Sequence, residues 1–196
     1  MTTLATNNEI EFKQLLTAQQ YNQFAQHYFP NKEPFSQTNY YIDTPDFQLK
    51  AHKSALRIRV KDGGNEMTLK VPAEVGLLEY NFDTTLKPEM NYRLTLDDLP
   101  NDIVRQLQKF NIDLTTLTIL GDLTTERLEK PDGQDLIVLD KSTYLDTEDY
   151  ELELEVADYD SGLTKFNAIL ENFDIVYEQP ANKVQRFFDR KSQISK

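Results

Sequence analysis

The 196-residue sequence predicts an α+β fold, an antiparallel sheet with helices packed outside it. Nine segments alternate apolar and polar residues at a period of two, the mark of strands with one face on a core. Three others repeat apolar residues at helical spacing and fall between the strands without strict alternation, which is an antiparallel pattern. Turns are short, glycine is scarce at 6 residues, and no repeat or linker-like run divides the chain, so residues 1–196 are expected to form one domain.

The strands are expected at residues 8–13, 39–43, 55–61, 66–71, 77–83, 124–130, 135–141, 150–157 and 183–188, the last with a helical alternative. Asp62-Gly63-Gly64-Asn65 joins two of them as a hairpin turn, because glycine tolerates positive φ, and Pro131-Asp132-Gly133 serves similarly later. Helices are expected over residues 17–29 (Tyr21, Phe24, Ala25, Tyr28), 98–110 (Leu99, Ile103, Leu107, Phe110) and 161–173 (Leu163, Phe166, Leu170, Phe173). Asp98 or Asn101 is the candidate N-cap of the second.

Composition removes several function classes. Lys and Arg total 21 against 33 Asp and Glu, a net charge of -12, which suits neither nucleic acid nor an anionic membrane. The absence of cysteine excludes disulfides, thiolate catalysis and Cys-ligated metals. The opening MTTLATNNEIEFK lacks a basic and an apolar signal region, and the longest aliphatic run, residues 136–139, is far too short to span a bilayer. A soluble cytoplasmic protein is expected, monomeric or homodimeric. His27 and His52 have no partner at metal spacing, and no HExxH, GxSxG or GxxxxGK[ST] pattern occurs, so phosphate binding would not use a P-loop. The aromatic residues on helices read as core rather than as base-stacking platforms.

The alternation itself is the informative feature, because successive strand side chains point to opposite faces. Glu9, Glu11 and Lys13 share one face, as do Arg57, Arg59 and Lys61, with Lys70 on the next strand. Glu151, Glu153 and Glu155 line one side opposite Leu152, Leu154 and Val156. Arg127 aligns with Glu129, and Lys183 with Gln185. One such row on an open sheet would simply face water. Here acid-rich and base-rich rows lie on different strands, and the opposite faces carry Ile10, Phe12, Ile58 and Leu69, which the helices can cover. The charged faces are therefore expected to look at one another across a closed or nearly closed sheet.

Such an interior is a wet tunnel, because burying unpaired charges costs several kcal/mol or more per group. Opposed acidic and basic walls suit a polyanion with a bound divalent metal. Arg and Lys hold phosphate oxygens directly, while carboxylates hold Mg²⁺ or Mn²⁺. Residues i and i+2 lie roughly 6.6 Å apart along a strand, so two glutamates can converge on one ion.

Glu9-Ile10-Glu11-Phe12-Lys13 resembles the ExExK signature of the CYTH domain, the triphosphate tunnel metalloenzyme superfamily. Further elements follow in the family's order: Tyr40-Tyr41-Ile42-Asp43-Thr44, Leu56-Arg57-Ile58-Arg59, Thr68-Leu69-Lys70, Glu79, Arg127, Asp140, Tyr150-Glu151-Leu152-Glu153 and Lys183. The resemblance spans about residues 8 to 188. It implies an eight-stranded antiparallel β-barrel forming a tunnel, with helices outside. It further implies hydrolysis of inorganic triphosphate, thiamine triphosphate or a nucleoside triphosphate. Two alternatives are class IV adenylate cyclase chemistry, from ATP to cyclic AMP, and a non-catalytic triphosphate-binding module.

The resemblance assigns metal binding to Glu9, Glu11, Asp140, Glu151 and Glu153, with Glu79 and Glu155 as further candidates. It assigns phosphate binding to Lys13, Arg57, Arg59, Lys70, Arg127 and Lys183. Glu9, Glu11 and Lys13 are the catalytic candidates, Lys13 either pairing with the acidic rows or assisting proton transfer. Tyr41 and Asp43 read as structural partners of the arginine rows. The chain departs from the family pattern at Asn7, where a histidine is common, and at Asn81, two residues after Glu79. Because Glu151, Glu153 and Glu155 alternate, two registers of the late acidic pair stay open.

Overall fold

The computed structural model describes residues 5–194 and contains eight strands and five helices. The strands are β1 (Ala5–Leu16), β2 (Phe35–Asp43), β3 (Ala55–Lys61), β4 (Gly64–Pro72), β5 (Leu77–Thr84), β6 (Thr118–Asp132), β7 (Asp135–Tyr144) and β8 (Thr147–Val156). The helices are α1 (Ala18–Tyr28), α2 (Gln48–Ala51), α3 (Asn101–Lys109), α4 (Tyr159–Glu171) and α5 (Lys183–Ile194). The strands form a closed barrel in the order β1-β5-β4-β3-β2-β6-β7-β8. Among the described residues, no helix is long and apolar enough to cross a membrane.

The chain divides into two compact units. The first takes the stretch ending at Asn8 with Gln37–Leu123; the second takes Glu9–Ser36 and the chain from Thr124 onward. In the first, β2 to β5 run as an antiparallel meander, with Tyr41 opposite Arg57, Arg57 opposite Thr68 and Thr68 opposite Asn81. One side of this meander carries Ile42, Leu56, Ile58, Met67, Leu69 and Phe82, all buried with Ile103 and Leu107 of α3. The other side carries the polar and charged residues. Gly63 and Gly64 turn β3 into β4 at φ 99° and 144°, a region that residues with a Cβ rarely adopt.

In the second unit β6, β7, β8 and β1 pair in succession. Arg127 lies opposite Asp140, Asp140 opposite Glu151, and Glu153 opposite Lys13. Their other face buries Phe12, Leu128, Ile137, Leu139, Leu152 and Leu154 against Phe24 of α1 and Phe166, Ile169 and Leu170 of α4. A capping box starts α1: Thr17 Oγ1 accepts from Gln20 N at 3.2 Å, and the Gln20 side chain accepts from Thr17 N at 2.9 Å. Asp158 caps α4 by accepting from Ser161 N at 2.9 Å. Gly162 lets α4 lie close on β8, since a Cβ there would stand 2.6 Å from Val156 Cγ2.

Three expectations are corrected. Residues 183–188 are helical, not a ninth strand. The eight strands already close the barrel and leave no edge. Val184, Phe187 and Phe188 recur at helical spacing, and both phenylalanines are buried. Neither Asp98 nor Asn101 caps α3: Pro100 holds that position, and Asp98 instead closes a 3₁₀ turn over Leu96–Asp98 by accepting from Thr95 N at 2.7 Å. Asp43 is structural, but its partners are backbone amides. It accepts from Thr44 N at 2.7 Å, Leu49 N at 2.8 Å and Lys50 N at 3.0 Å, and so founds α2, a helix the periodicity did not show. Burial pushes the Asp43 carboxyl up in spite of these three bonds.

Candidate functional site

In the second unit the alternation of β1, β6, β7 and β8 brings most of the sequence-derived candidates onto one face. Asp140 and Glu151 are fully buried, and Glu153, Lys13 and Arg127 nearly so. Arg127 grips Asp140 bidentately, Nε to Oδ1 at 2.8 Å and Nη2 to Oδ2 at 2.6 Å, and Nη2 also donates to Glu153 at 2.9 Å. Lys183 reaches the same acids from the first turn of α5. Its ammonium lies 2.8 Å from Asp140 and 2.5 Å from Glu151, and it hydrogen-bonds to Glu153. Lys13 pairs with Glu11 on its own strand face.

Electrostatics follow from burial and pairing. Desolvation alone would lower the lysine pKa values, but the carboxylates outweigh it, so Lys13 and Lys183 both stay charged. Glu153 and Glu151 titrate as a coupled pair. Although burial works against its ionisation, Lys183 and Arg127 hold Glu153 well below the usual carboxylate range, while burial drives Glu151 upward. Glu155, away from Lys183, is pushed up to about 7 by burial and by the charges of Glu9, Glu153 and Glu11.

Two carboxylate groups suit a divalent cation. Oxygens of Asp140, Glu151 and Glu153 lie within 4.8 Å of one another, and so do those of Glu9, Glu11 and Glu155. The first group is buried and already holds the Lys183 ammonium among its oxygens; the second is half-buried. An all-oxygen donor set suits a hard ion such as Mg²⁺ or Mn²⁺, and opposite ligands of an octahedral ion stand about 4.2 Å apart, so small side-chain shifts suffice.

In the first unit one face holds the remaining bases. Lys70 pairs with Glu79 at 2.7 Å, and Asn81 stands 3.4 Å from the other Glu79 oxygen and accepts from Thr68 at 2.7 Å. Lys70 and Arg57 hold Glu79 below its ordinary pKa, overcoming burial. Glu79 thus serves here as a partner of bases; it is in neither acid group. Arg59 Nε donates to Asn39 at 3.0 Å. Arg57 Nε is buried without a hydrogen-bond partner, and Gln37 Nε2 likewise. An orphaned buried donor costs about 1–3 kcal/mol unless an acceptor from outside the chain meets it.

Sequence reasoning missed Arg186. From α5 it donates to Glu151 at 2.7 Å and, through Nε, to Asp149 at 3.0 Å. Lys183 and Arg186 stand three residues apart, on one face of a helix, so reading residues 183–188 as helical would have revealed the pair. The two histidines do other work: His27 packs edge-on against Tyr28 and Phe173, and His52 Nδ1 lies 2.8 Å from the Gln48 carbonyl.

Comparison with known proteins shows the family to which the chain is related. The chain matches the CYTH domain over residues 7–188. It is 40 % identical over 185 residues to YjbK of Bacillus subtilis strain 168, a protein described as a candidate triphosphatase, covering 93 % of this chain and 95 % of the relative. A crystal structure of a candidate adenylate cyclase from Bacillus halodurans superposes with a TM-score of 0.81 at 32 % identity, covering 93 % of this chain and 98 % of the other. HpAC1 from Hippeastrum shares the fold at a TM-score of 0.66 and 19 % identity, covering 92 % of this chain and 95 % of its own.

Proposed function

The chain belongs to the CYTH domain family, and from that premise we propose that it is a metal-dependent triphosphatase acting on inorganic triphosphate or another triphosphate-bearing small molecule. One observation carries the reading. A single sheet face of the second unit buries Asp140, Glu151, Glu153, Lys13 and Arg127 together. Ion pairs so deeply buried gain little over apolar residues of equal volume, so their presence points to a ligand rather than to stability. The 40 % identical relative, described as a candidate triphosphatase, supports the same activity.

Roles follow from the donor types. Glu9, Glu11 and Glu155 would hold Mg²⁺ or Mn²⁺, with Glu153, Glu151 and Asp140 as the deeper set. When bound, such an ion neutralises phosphate charge and lowers the pKa of an attacking water. Arg127 and Lys183, freed in part from their acids, would take phosphate oxygens; within the first unit the phosphate-binding candidates are Arg57, Arg59 and Lys70. Arg57 is the readiest of these, with an Nε already lacking a partner. Lys13, fixed in its charged form, suits anion holding rather than proton transfer. Glu155, raised to about 7 in the metal-free chain, would give up its proton on holding the ion. Phosphoryl transfer is then accelerated by positioning and charge stabilisation.

The test is phosphate release from tripolyphosphate in Mg²⁺ or Mn²⁺. Glu9→Ala and Arg57→Ala should each lower turnover by about two to three orders of magnitude with the fold retained. Rates like wild type in both would defeat the assignment, and cyclic AMP from ATP would give the chain to the cyclase reading.

A further inference from the structure

On the polar face of β2 to β5 the bases stand on successive rungs. Lys70 lies on the rung of Ala55 and Glu79, Arg57 on that of Tyr41 and Thr68, and Arg59 on that of Asn39 and Glu66. Adjacent same-face rungs are about 7 Å apart, so the three span about 14 Å, enough for an extended triphosphate. Gln37 follows on the same face, two residues before Asn39 on β2. It is only 4 % exposed, and its Nε2 has no hydrogen-bond partner.

A buried amide with an orphaned donor is unusual in a strand and asks for an acceptor that the chain does not supply. The change of donor type says which acceptor. Three rungs present cations, the best partners of phosphate oxygens; at the fourth the β3 cation, Lys61, is exposed, and the buried donor is the neutral amide of Gln37. We propose that Gln37 is a specificity-determining residue. In this reading it donates to an uncharged acceptor, a carbonyl, ring nitrogen or hydroxyl, on an organic group carried by the triphosphate. The preferred substrate is then a triphosphate ester rather than bare tripolyphosphate. This rests on the triphosphatase reading above and adds to it the class of substrate.

The experiment compares wild type with Gln37→Met, which keeps the volume and removes the amide. Both are assayed in Mn²⁺ on tripolyphosphate, ATP and thiamine triphosphate. For the ester that wild type prefers, kcat/KM relative to tripolyphosphate should fall about five- to tenfold in Gln37→Met, the effect of one neutral hydrogen bond. A ratio unchanged within about twofold overturns the proposal, as does a wild type whose kcat/KM is higher on tripolyphosphate than on either ester. If wild type turns over none of the three, the triphosphatase reading itself falls and this one with it. Thermal melting gives an independent check: Gln37→Met, having lost an unsatisfied buried donor, should melt no lower than wild type. A fall of several degrees would assign the amide a structural role and overturn the proposal.

Discussion

Replacing Lys183 by methionine removes one ammonium from among three buried carboxylates while keeping most of its stem. The nitrogen lies 2.8 Å from Asp140 and 2.5 Å from Glu151, and hydrogen-bonds to Glu153. Stripping a buried ion pair of one member costs about 3–5 kcal/mol. The lower end applies here, because Arg127 still faces Asp140 and Glu153, and Arg186 still faces Glu151. For a chain of 196 residues, about 3 kcal/mol corresponds to a fall of roughly 6–12 °C in Tm. The assay is thermal unfolding of wild type and Lys183→Met, each in EDTA and in Mn²⁺. Manganese at a hundred times its Kd would return about 2.7 kcal/mol. The variant should gain the larger share, because in wild type an ion can enter the Asp140, Glu151 and Glu153 set only by displacing Lys183. Equal melting of the two proteins in EDTA, or equal Mn²⁺ shifts in both, would refute this reasoning.

Asp43→Ala deprives three backbone amides of their acceptor and should cost about 2–3 kcal/mol in urea unfolding; a loss below about 0.5 kcal/mol would contradict its capping role. Gly162→Ala drives a Cβ to within 2.6 Å of Val156 and should cost about 1–3 kcal/mol. Combined with Val156→Ala it should cost less than the sum of the two single changes, and strict additivity would show that α4 shifts freely on β8. Glu155 has its folded pKa raised from 4.5 to about 7, so its contribution is fully present below about 4.5 and lost as pH rises through 7. Metal-free protein should therefore lose up to about 3 kcal/mol from this group across that interval. Because a bound ion must displace that proton, the Mn²⁺-induced rise in Tm should be larger at pH 8 than at pH 5.5, and equal rises would argue against Glu155 as a ligand.

Much of this architecture was legible in the sequence because strand alternation is a strong local signal. The expected β3 matches to the residue; six other strands are expected with trimmed ends, and the expected β8 starts three residues late and runs one residue past its end. β6 begins at Thr118, where Gly121 interrupts the alternation, so its first turn of pairing was invisible. The candidate acids and bases on the strands are legible for the same reason, since they alternate along one face, whereas Lys183 stands on α5. What escaped had a different cause. Residues 183–188 fit a period of two and a period of 3.6 alike, and only barrel closure decides between them; misreading them hid Arg186. The role of Asp43 depends on amides up to seven residues ahead, and the orphaned donors of Gln37 and Arg57 are defined by what does not surround them. No local pattern carries either.

The most direct measurement is phosphate release from tripolyphosphate by the purified wild-type protein in Mn²⁺, followed in one sample before and after EDTA and again after manganese is restored. Turnover should stop with the chelator and resume with the ion. Phosphate release that continues undiminished in EDTA, or none with manganese present, would contradict it.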